Sequence, residues 1–217
     1  MKLNDDLSKR VVLRSTELPW QPSPAKGVHR RLLARDGGED ARATSIVRYE
    51  AGAVFPSHAH PQGEEIMVLE GEFADEYGVY PAGTYIKNPH GTTHAPRSTA
   101  GCTLFVKLRQ LDDQDSEQLV VRPTDRRWSP GLVRGLEVFG LSQFGTTHTA
   151  LVRWAPGTFF NKHQHYGGEE IFVLEGTFQD EYGDYPSGTW IRSPHMSVHQ
   201  PYSEQGCLIF VKVGHLA

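Results

Sequence analysis

The sequence predicts an all-β protein in which one domain is built twice. An internal repeat is the first sign. From Gly52 to Lys107, 32 of 56 residues are identical to those 105 positions later, with no gap. That is far above chance and marks tandem copies of one unit. Local composition is the second sign. Ser45-Ile-Val-Arg-Tyr49, Glu65-Ile-Met-Val-Leu69, Thr84-Tyr-Ile-Lys87 and Thr103-Leu-Phe-Val-Lys-Leu108 are short, β-branched and aromatic. Gly52, Gly71, Gly78, Pro81, Gly83, Pro89, Gly91 and Gly101 punctuate them, as in a sandwich or small barrel. Third, no long helical period stands out, and 22 glycines and 14 prolines would be awkward in a helical bundle.

The repeat begins early. Ser8-Lys-Arg-Val-Val-Leu-Arg14-Ser-Thr16-Glu-Leu-Pro-Trp20 matches Ser116-Glu-Gln-Leu-Val-Val-Arg122-Pro-Thr124-Asp-Arg-Arg-Trp128 at an offset of 108. The offset falls to 105 by Thr44 and Thr149, so a three-residue difference lies in between. The copies run near 8–111 and 116–217, and the chain divides into domains 1–111 and 112–217. Between the copies, Leu111-Asp-Asp-Gln-Asp-Ser-Glu117 reads as a polar surface connector. Within each copy, Glu72-Phe-Ala-Asp-Glu-Tyr-Gly-Val-Tyr80 and its counterpart predict a hairpin turning at Asp75–Gly78.

Charge and composition exclude several classes. The net charge of −4 offers no broad pull toward nucleic acid or anionic membrane. No apolar run is long enough to span a bilayer, and MKLNDDLSKR lacks the apolar core of a signal peptide. The expected location is cytoplasmic. Cys102 and Cys207, again 105 apart, each precede an apolar run ending Phe-Val-Lys and read as buried strand cysteines. A count of two rules out a cysteine-rich zinc site.

Chemistry concentrates in the histidines. Eight of eleven fall in pairs at the 105 offset: His58, His60, His90 and His94 with His163, His165, His195 and His199. His29, His148 and His215 lack partners and read as surface or incidental residues. Residues two apart on a strand share a side, so His58 and His60 can reach one metal ion together. Glu64 keeps the same parity and joins them if the chain stays extended or bends back. A half-buried histidine pair would explain one copy alone. The duplicated spacing argues for a metal.

These blocks resemble the two motifs of the cupin superfamily, G-x5-H-x-H-x3-E-x6-G and a later P-x-G…H. Gly52, His58, His60, Glu64 and Gly71 fit the first, as do Gly157, His163, His165, Glu169 and Gly176. The closer resemblance is to the ChrR-type cupin, the C-terminal domain of zinc-dependent anti-sigma factors. It rests on the Glu-Glu pair with Val-Leu-Glu-Gly, on Asp-Glu-Tyr-Gly-x-Tyr, and on Gly-Cys before Phe-Val-Lys. The resemblance implies two tandem double-stranded β-helix jelly rolls. It also implies a metal site of His58, His60, Glu64 and His94, and a second of His163, His165, Glu169 and His199. Glu65 and Glu170 then face away as surface ion pairs or hydrogen-bonding groups, and His90 and His195 read as loop residues. The chain departs from the family's anti-sigma members in lacking their zinc-binding helical domain, so sigma-factor binding is not carried over.

Three imidazoles and a carboxylate suit one borderline divalent ion per domain, with Zn, Fe, Mn and Ni all open. Phe55, Tyr85 and Phe105, with Phe160, Trp190 and Phe210, would wall an apolar pocket if they point inward, and read equally as ordinary core. The expected function is a metal-binding sensor, regulatory or small-ligand-binding bicupin. The alternative is a metal-dependent dioxygenase resembling the acetylacetone-cleaving type. A small-molecule ligand or substrate is the expected partner, and a homo-oligomer is left open.

Overall fold

The computed structural model describes residues 1–216. It is β throughout, with two short 3-10 turns and no α-helix among the described residues. The chain forms two compact units, Met1–Asp5 with Leu18–Arg126, and Asp6–Glu17 with Arg127–Ala217.

In the first unit the main sheet runs Lys2–Leu3, Val28–Asp36, Ala43–Tyr49, Cys102–Leu108, Glu64–Ala74, Tyr85–Asn88, Leu119–Val121. In the second it runs Ser129–Pro130, Leu136–Phe144, Thr147–Trp154, Cys207–Val213, Glu169–Asp180, Thr189–Ser193, Val11–Arg14. Neighbours in both sheets are antiparallel. The long strands Glu64–Ala74 and Glu169–Asp180 bend out of the main sheet at their far ends, where Ala74 and Gln179 pair with a second, smaller layer. A bulge at Leu69, repeated at Leu174, accompanies the bend. Gly71 ends this stretch at φ 71°, and a Cβ there would run into the Gly101 carbonyl, so the motif requires glycine.

The repeat in sequence and the compact unit in space do not coincide. Val11–Arg14, from the start of the first copy, pairs with Thr189–Ser193 and belongs to the second unit. Its counterpart Leu119–Val121 pairs with Tyr85–Asn88 in the first. The two segments are alternating apolar strands of nearly the same sequence, so pattern alone does not say which sheet each one edges.

The three-residue difference between the copies lies between the first two long strands. Gly37–Arg42 links Val28–Asp36 to Ala43–Tyr49, whereas Gly145–Thr146 alone links Leu136–Phe144 to Thr147–Trp154, a strand that starts one residue earlier, at the counterpart of Arg42. Both first strands carry a matching bulge, at Leu33 and Leu141. The register therefore stays in step until the loop.

Each unit has its own core. Val28, Tyr49, Ile66, Val68, Phe73, Ile86, Leu104 and Val106 form the first. Leu136, Trp154, Ile171, Val173, Phe178, Ile191 and Ile209 form the second. Cys102 and Cys207 are free and buried in these cores. No helix among the described residues is long and apolar enough to cross a membrane.

Strand parity corrects several expectations. Ile66, Ile86, Leu104 and Val106 take the inner face, so Tyr85 and Phe105 point to the other side of the sheet. Only Phe55 and Phe160 of the six aromatics turn toward the histidines. Glu65 and Glu170 do face away from the histidines, but they are buried rather than on the surface. Tyr85 Oη donates to Glu65 Oε1 at 2.8 Å, and His215 lies 2.8 Å from Glu170, so His215 is a buried partner rather than an incidental residue. The connector is not wholly on the surface either. Asp115 is buried, and its carboxylate accepts two hydrogen bonds from the fully buried Lys87 ammonium, at 2.8 and 2.9 Å.

Candidate metal centre

The first and third histidines of each unit meet because their short strands pair. His58–Ala59 lies antiparallel to Thr93–His94, with His94 directly opposite His58. In the second unit His163–His165 pairs with Ser197–His199, and His199 faces His163. Directly opposed residues hold their side chains side by side. After His60 the chain turns through Gln62 (φ 62°) and Gly63 (φ 71°) and re-enters the sheet at Glu64. Gly167 and Gly168 make the same turn before Glu169. The strand does not stay extended from histidine to glutamate. It bends back, and this brings the carboxylate beneath the rings.

The result is a tight group in each unit. One ring nitrogen from each of His58, His60 and His94 lies within 4.8 Å of the others, and the same holds for His163, His165 and His199. Glu64 Oε2 stands 3.5 Å from Nε2 of both His60 and His94. Glu169 Oε2 stands 3.6 Å from Nε2 of His165 and His199. His165 Nε2 and His199 Nε2 are 2.9 Å apart, two ring nitrogens aimed at one point.

The surrounding groups fix which nitrogen is offered. His58 Nδ1 lies 3.0 Å from the Pro56 carbonyl, and His163 Nδ1 lies 2.9 Å from that of Asn161. A carbonyl only accepts, so the proton sits on Nδ1 and the Nε2 lone pair is left for a ligand. Asp75 Oδ2 lies 3.3 Å from His94 Nδ1, and Asp180 Oδ2 lies 3.4 Å from His199 Nδ1, with the same consequence. Tyr77 N, Gly78 N and Tyr80 Oη in turn donate to Asp75 Oδ1. Asp180 is held by Tyr182 N and Tyr185 Oη, and also by Arg10, whose Nη2 is 3.2 Å from Oδ2. Asp75 and Asp180 are candidate orienting residues that the histidine motif does not announce. Their signal was the duplicated Asp-Glu-Tyr-Gly-x-Tyr, which folds as the expected hairpin through Asp75 N and Gly78 O.

Electrostatics follow from burial and these partners. Burial lowers the His60 pKa, and the neighbouring histidines add to this against the raising effect of Glu64. Burial, with His199 and His163 nearby, takes His165 down to about 3. Burial would lower His94 and His199 too, but their aspartate hydrogen bonds and the adjacent carboxylates outweigh it and leave both raised. Asp75 and Asp180 are raised by burial and lowered further by the hydrogen bonds they accept, so both stay ionised. Burial lifts Glu169 to about 7.

The orphaned atoms identify what the group lacks. His60 Nε2, His94 Nε2 and Glu169 Oε2 are buried with no hydrogen-bond partner. Buried polar atoms are rarely left so. Lone pairs converging from imidazole and carboxylate are what a divalent transition ion takes, and each cluster could hold one. His90 and His195 stand outside. Their Nδ1 atoms accept from Gln62 N at 3.1 Å and Gly167 N at 2.9 Å, which pins the turn before the glutamate.

Each cluster opens onto a cavity. In the first unit it is about 270 Å³, lined by His58, His60, Glu64 and His94 and walled by Phe55, Ile66, Phe73, Leu104 and Val106 among others. In the second it is about 210 Å³, lined by His163, Glu169 and His199 with Trp154, Phe160, Phe178, Ile209 and Val211. Phe55 packs on His58 with ring centres 4.9 Å apart, and Phe160 on His163 at 4.8 Å.

The sequence matches the family model of the ChrR cupin-like domain twice, over residues 8–112 and 116–217. The chain belongs to the ChrR cupin-like family. Against curated proteins its sequence finds no match. Among solved structures, this ChrR-like bicupin is similar to a candidate dioxygenase from Nostoc punctiforme, with a TM-score of 0.81 and 14% identity, covering 96% of this chain and 84% of that one. It is also similar to protein Ylba from E. coli, with a TM-score of 0.73 and 13% identity over 96% and 92% of the chains. A Bacillus subtilis oxalate decarboxylase mutant gives a TM-score of 0.68 and 12% identity over 95% and 77%. At these identities the likeness shows the fold, two tandem cupin domains.

The raised Glu169 sets a pH dependence. Metal uptake at the C-terminal cluster must displace its proton, and that of His199 where bound. Uptake is therefore expected to strengthen as pH rises through about 7. Without metal the sign reverses for stability. A carboxyl whose pKa is raised on folding stabilises the fold while protonated, and that contribution is lost as pH rises through the same range. Chelator competition in His58→Ala protein at stepped pH measures the first effect. An affinity that does not change with pH would contradict it.

Proposed function

We propose that this protein is a divalent-metal bicupin that binds a small organic molecule at a metal centre in each unit. The ligands are His58, His60, Glu64 and His94 in one, and His163, His165, Glu169 and His199 in the other. One observation carries the reading. Residues that converge on the metal position also line an apolar cavity in both units: His58, His60, Glu64 and His94 in the first, and His163, Glu169 and His199 in the second. A closed structural zinc site has no use for such a cavity, whereas a ligand-binding centre keeps an open position facing it.

Zn, Fe, Mn and Ni all suit the donor set, and a bound ion would supply Lewis acidity at the base of the cavity. The chain's own residues do the rest. Asp75 and Asp180 hold His94 and His199 with Nε2 presented inward. Phe55 and Phe160 shield one side of the centre from water. The aliphatic wall receives the apolar body of the bound molecule. The Mn(II) centres of Bacillus subtilis oxalate decarboxylase, a fold relative at a TM-score of 0.62, support a metal in such a framework.

A second reading is a metal-dependent dioxygenase. It is favoured by the same open cavity and by the fold likeness to the candidate Nostoc enzyme. Both readings take a small molecule as partner rather than nucleic acid, membrane or a sigma factor, and both suit a cytoplasmic protein. Cobalt(II)-loaded protein titrated with imidazole tests the shared claim. The visible spectrum is expected to shift as imidazole takes an open position. A spectrum indifferent to imidazole at both centres would mean that coordination is closed and the proposal is wrong.

A further inference from the structure

The two cavities share their floor but differ at the mouth. Position by position, Val47, Phe55, Phe73, Leu104 and Val106 of the first correspond to Val152, Phe160, Phe178, Ile209 and Val211 of the second. Around the opening the pairing breaks down. Arg30 of the first stands where the second has Val138. Arg109 stands where the second has Gly214, as the parallel backbone bonds Arg109 N to Gly63 O and Gly214 N to Gly168 O show. Beyond its ligand Glu169, the second cavity has no charged residue in its lining. The first has Arg30, Arg109, Glu39 and Asp40.

The longer Gly37–Arg42 loop accounts for this. In the second unit the short turn passes so close to Gly214 that a Cβ would strike the Thr146 carbonyl. In the first unit a full side chain is tolerated there. Arg109 occupies it at φ 57°, a left-handed conformation that bulky residues rarely adopt. Its guanidinium makes no hydrogen bond or ion pair within the described residues. It also borders the open depression formed by Asp36–Arg42, which places it at the entrance. Glu39 is engaged by Arg30 through two hydrogen bonds of 2.7 and 3.2 Å, while Asp40 is exposed on the loop. Arg30 Nε remains buried without a partner.

We propose that the N-terminal cavity selects a small carboxylic acid, with its carboxylate read by Arg109 at the mouth, its apolar body along the aliphatic wall, and its other end at the metal. The C-terminal cavity, lacking these arginines, takes an uncharged molecule. The inference rests on the reading of His58, His60, Glu64 and His94 as an open metal centre, and names the ligand class for it. Arginine suits the task because its planar fork meets a carboxylate with two parallel bonds and is always charged.

The test uses probes with a common metal-binding head. Imidazolepropionate, its neutral amide and histamine all present an imidazole to cobalt(II) and differ in the charge of the tail. The N-terminal centre is read in His163→Ala protein and the C-terminal centre in His58→Ala protein. At the N-terminal centre imidazolepropionate is expected to bind about tenfold or more tightly than the amide, as a charge-assisted pair would give. Histamine is expected to be weaker than the amide. Arg109→Gly, which installs the residue of the other copy and relieves the backbone, is expected to erase the preference while leaving plain imidazole binding and cobalt content unchanged. Arg109→Gln should do the same by removing the charge alone. The C-terminal centre should not prefer the acid. Equal binding of the three probes, a preference for histamine, or a preference that survives both substitutions would overturn the inference. In each case a response to plain imidazole would leave the metal centre standing. Loss of that response as well would overturn the metal-centre reading itself.

Discussion

Asp75→Asn and Asp180→Asn are each expected to weaken metal binding in their own unit about 10- to 100-fold, the usual cost of removing an orienting partner of a ligating histidine. The argument is geometric. In the first unit Asp75 Oδ1 already accepts from Tyr77 N, Gly78 N and Tyr80 Oη, so only Oδ2 faces His94 Nδ1. An asparagine keeps its carbonyl toward those three donors and turns its amide toward the ring. Donor then faces donor. The ring moves its proton from Nδ1 to Nε2, and the lone pair offered to the metal is lost. In the second unit Arg10 also leans on Asp180, so the substitution additionally leaves that guanidinium without its carboxylate. Chelator competition on each variant measures the loss unit by unit. Unchanged affinity in both would show that the aspartates do not set the tautomer.

Asp115→Ala is expected to destabilise the first unit by about 3–5 kcal/mol, the range for removing one partner of a buried ion pair. Lys87 is fully buried and Asp115 nearly so. Two short hydrogen bonds join them, and Glu117 Oε2, the other carboxylate within ion-pair distance, is 3.6 Å away and largely exposed. Without Asp115 the ammonium loses most of its compensation. Chemical denaturation followed by intrinsic fluorescence should show the first unit unfolding earlier. Asp115→Ala with Lys87→Met should recover much of the loss, because a buried pair replaced by apolar groups is often close to neutral. If the single substitution changed stability by less than about 1 kcal/mol, the size of an exposed pair, the assignment of a buried pair would be wrong.

Much of this was legible in the sequence. That His58 and His60 share a side was readable from parity, because side-chain direction along a strand alternates. Glu64 came instead from the spacing of the cupin motif, since the chain turns through Gln62 and Gly63 before it. His94 came from the repeat and the cupin resemblance, and its direct opposition to His58 supplies the physical reason. The roles of Asp75 and Asp180 were not readable, since each acts on a ring 19 positions ahead that only the folded hairpin brings near. Asp115 looked like one acid among several in a polar connector, and its burial depends on Lys87 needing a counterion. The placement of Val11–Arg14 and Leu119–Val121 was hidden for a different reason. A duplicated sequence writes the same edge strand twice and leaves either sheet able to receive it. Arg109 was passed over because a lone arginine after a strand carries no pattern. Its meaning appears only beside Gly214 and the cavity.

The most direct test of the central claim is metal content by plasma mass spectrometry, on protein purified without a chelating tag. About two equivalents of divalent transition metal per chain are expected, one for each cluster. His58→Ala and His163→Ala should each retain one, and the double substitution none. A wild-type protein that holds no metal even after reconstitution, or a double substitution that still holds two equivalents, would contradict the account.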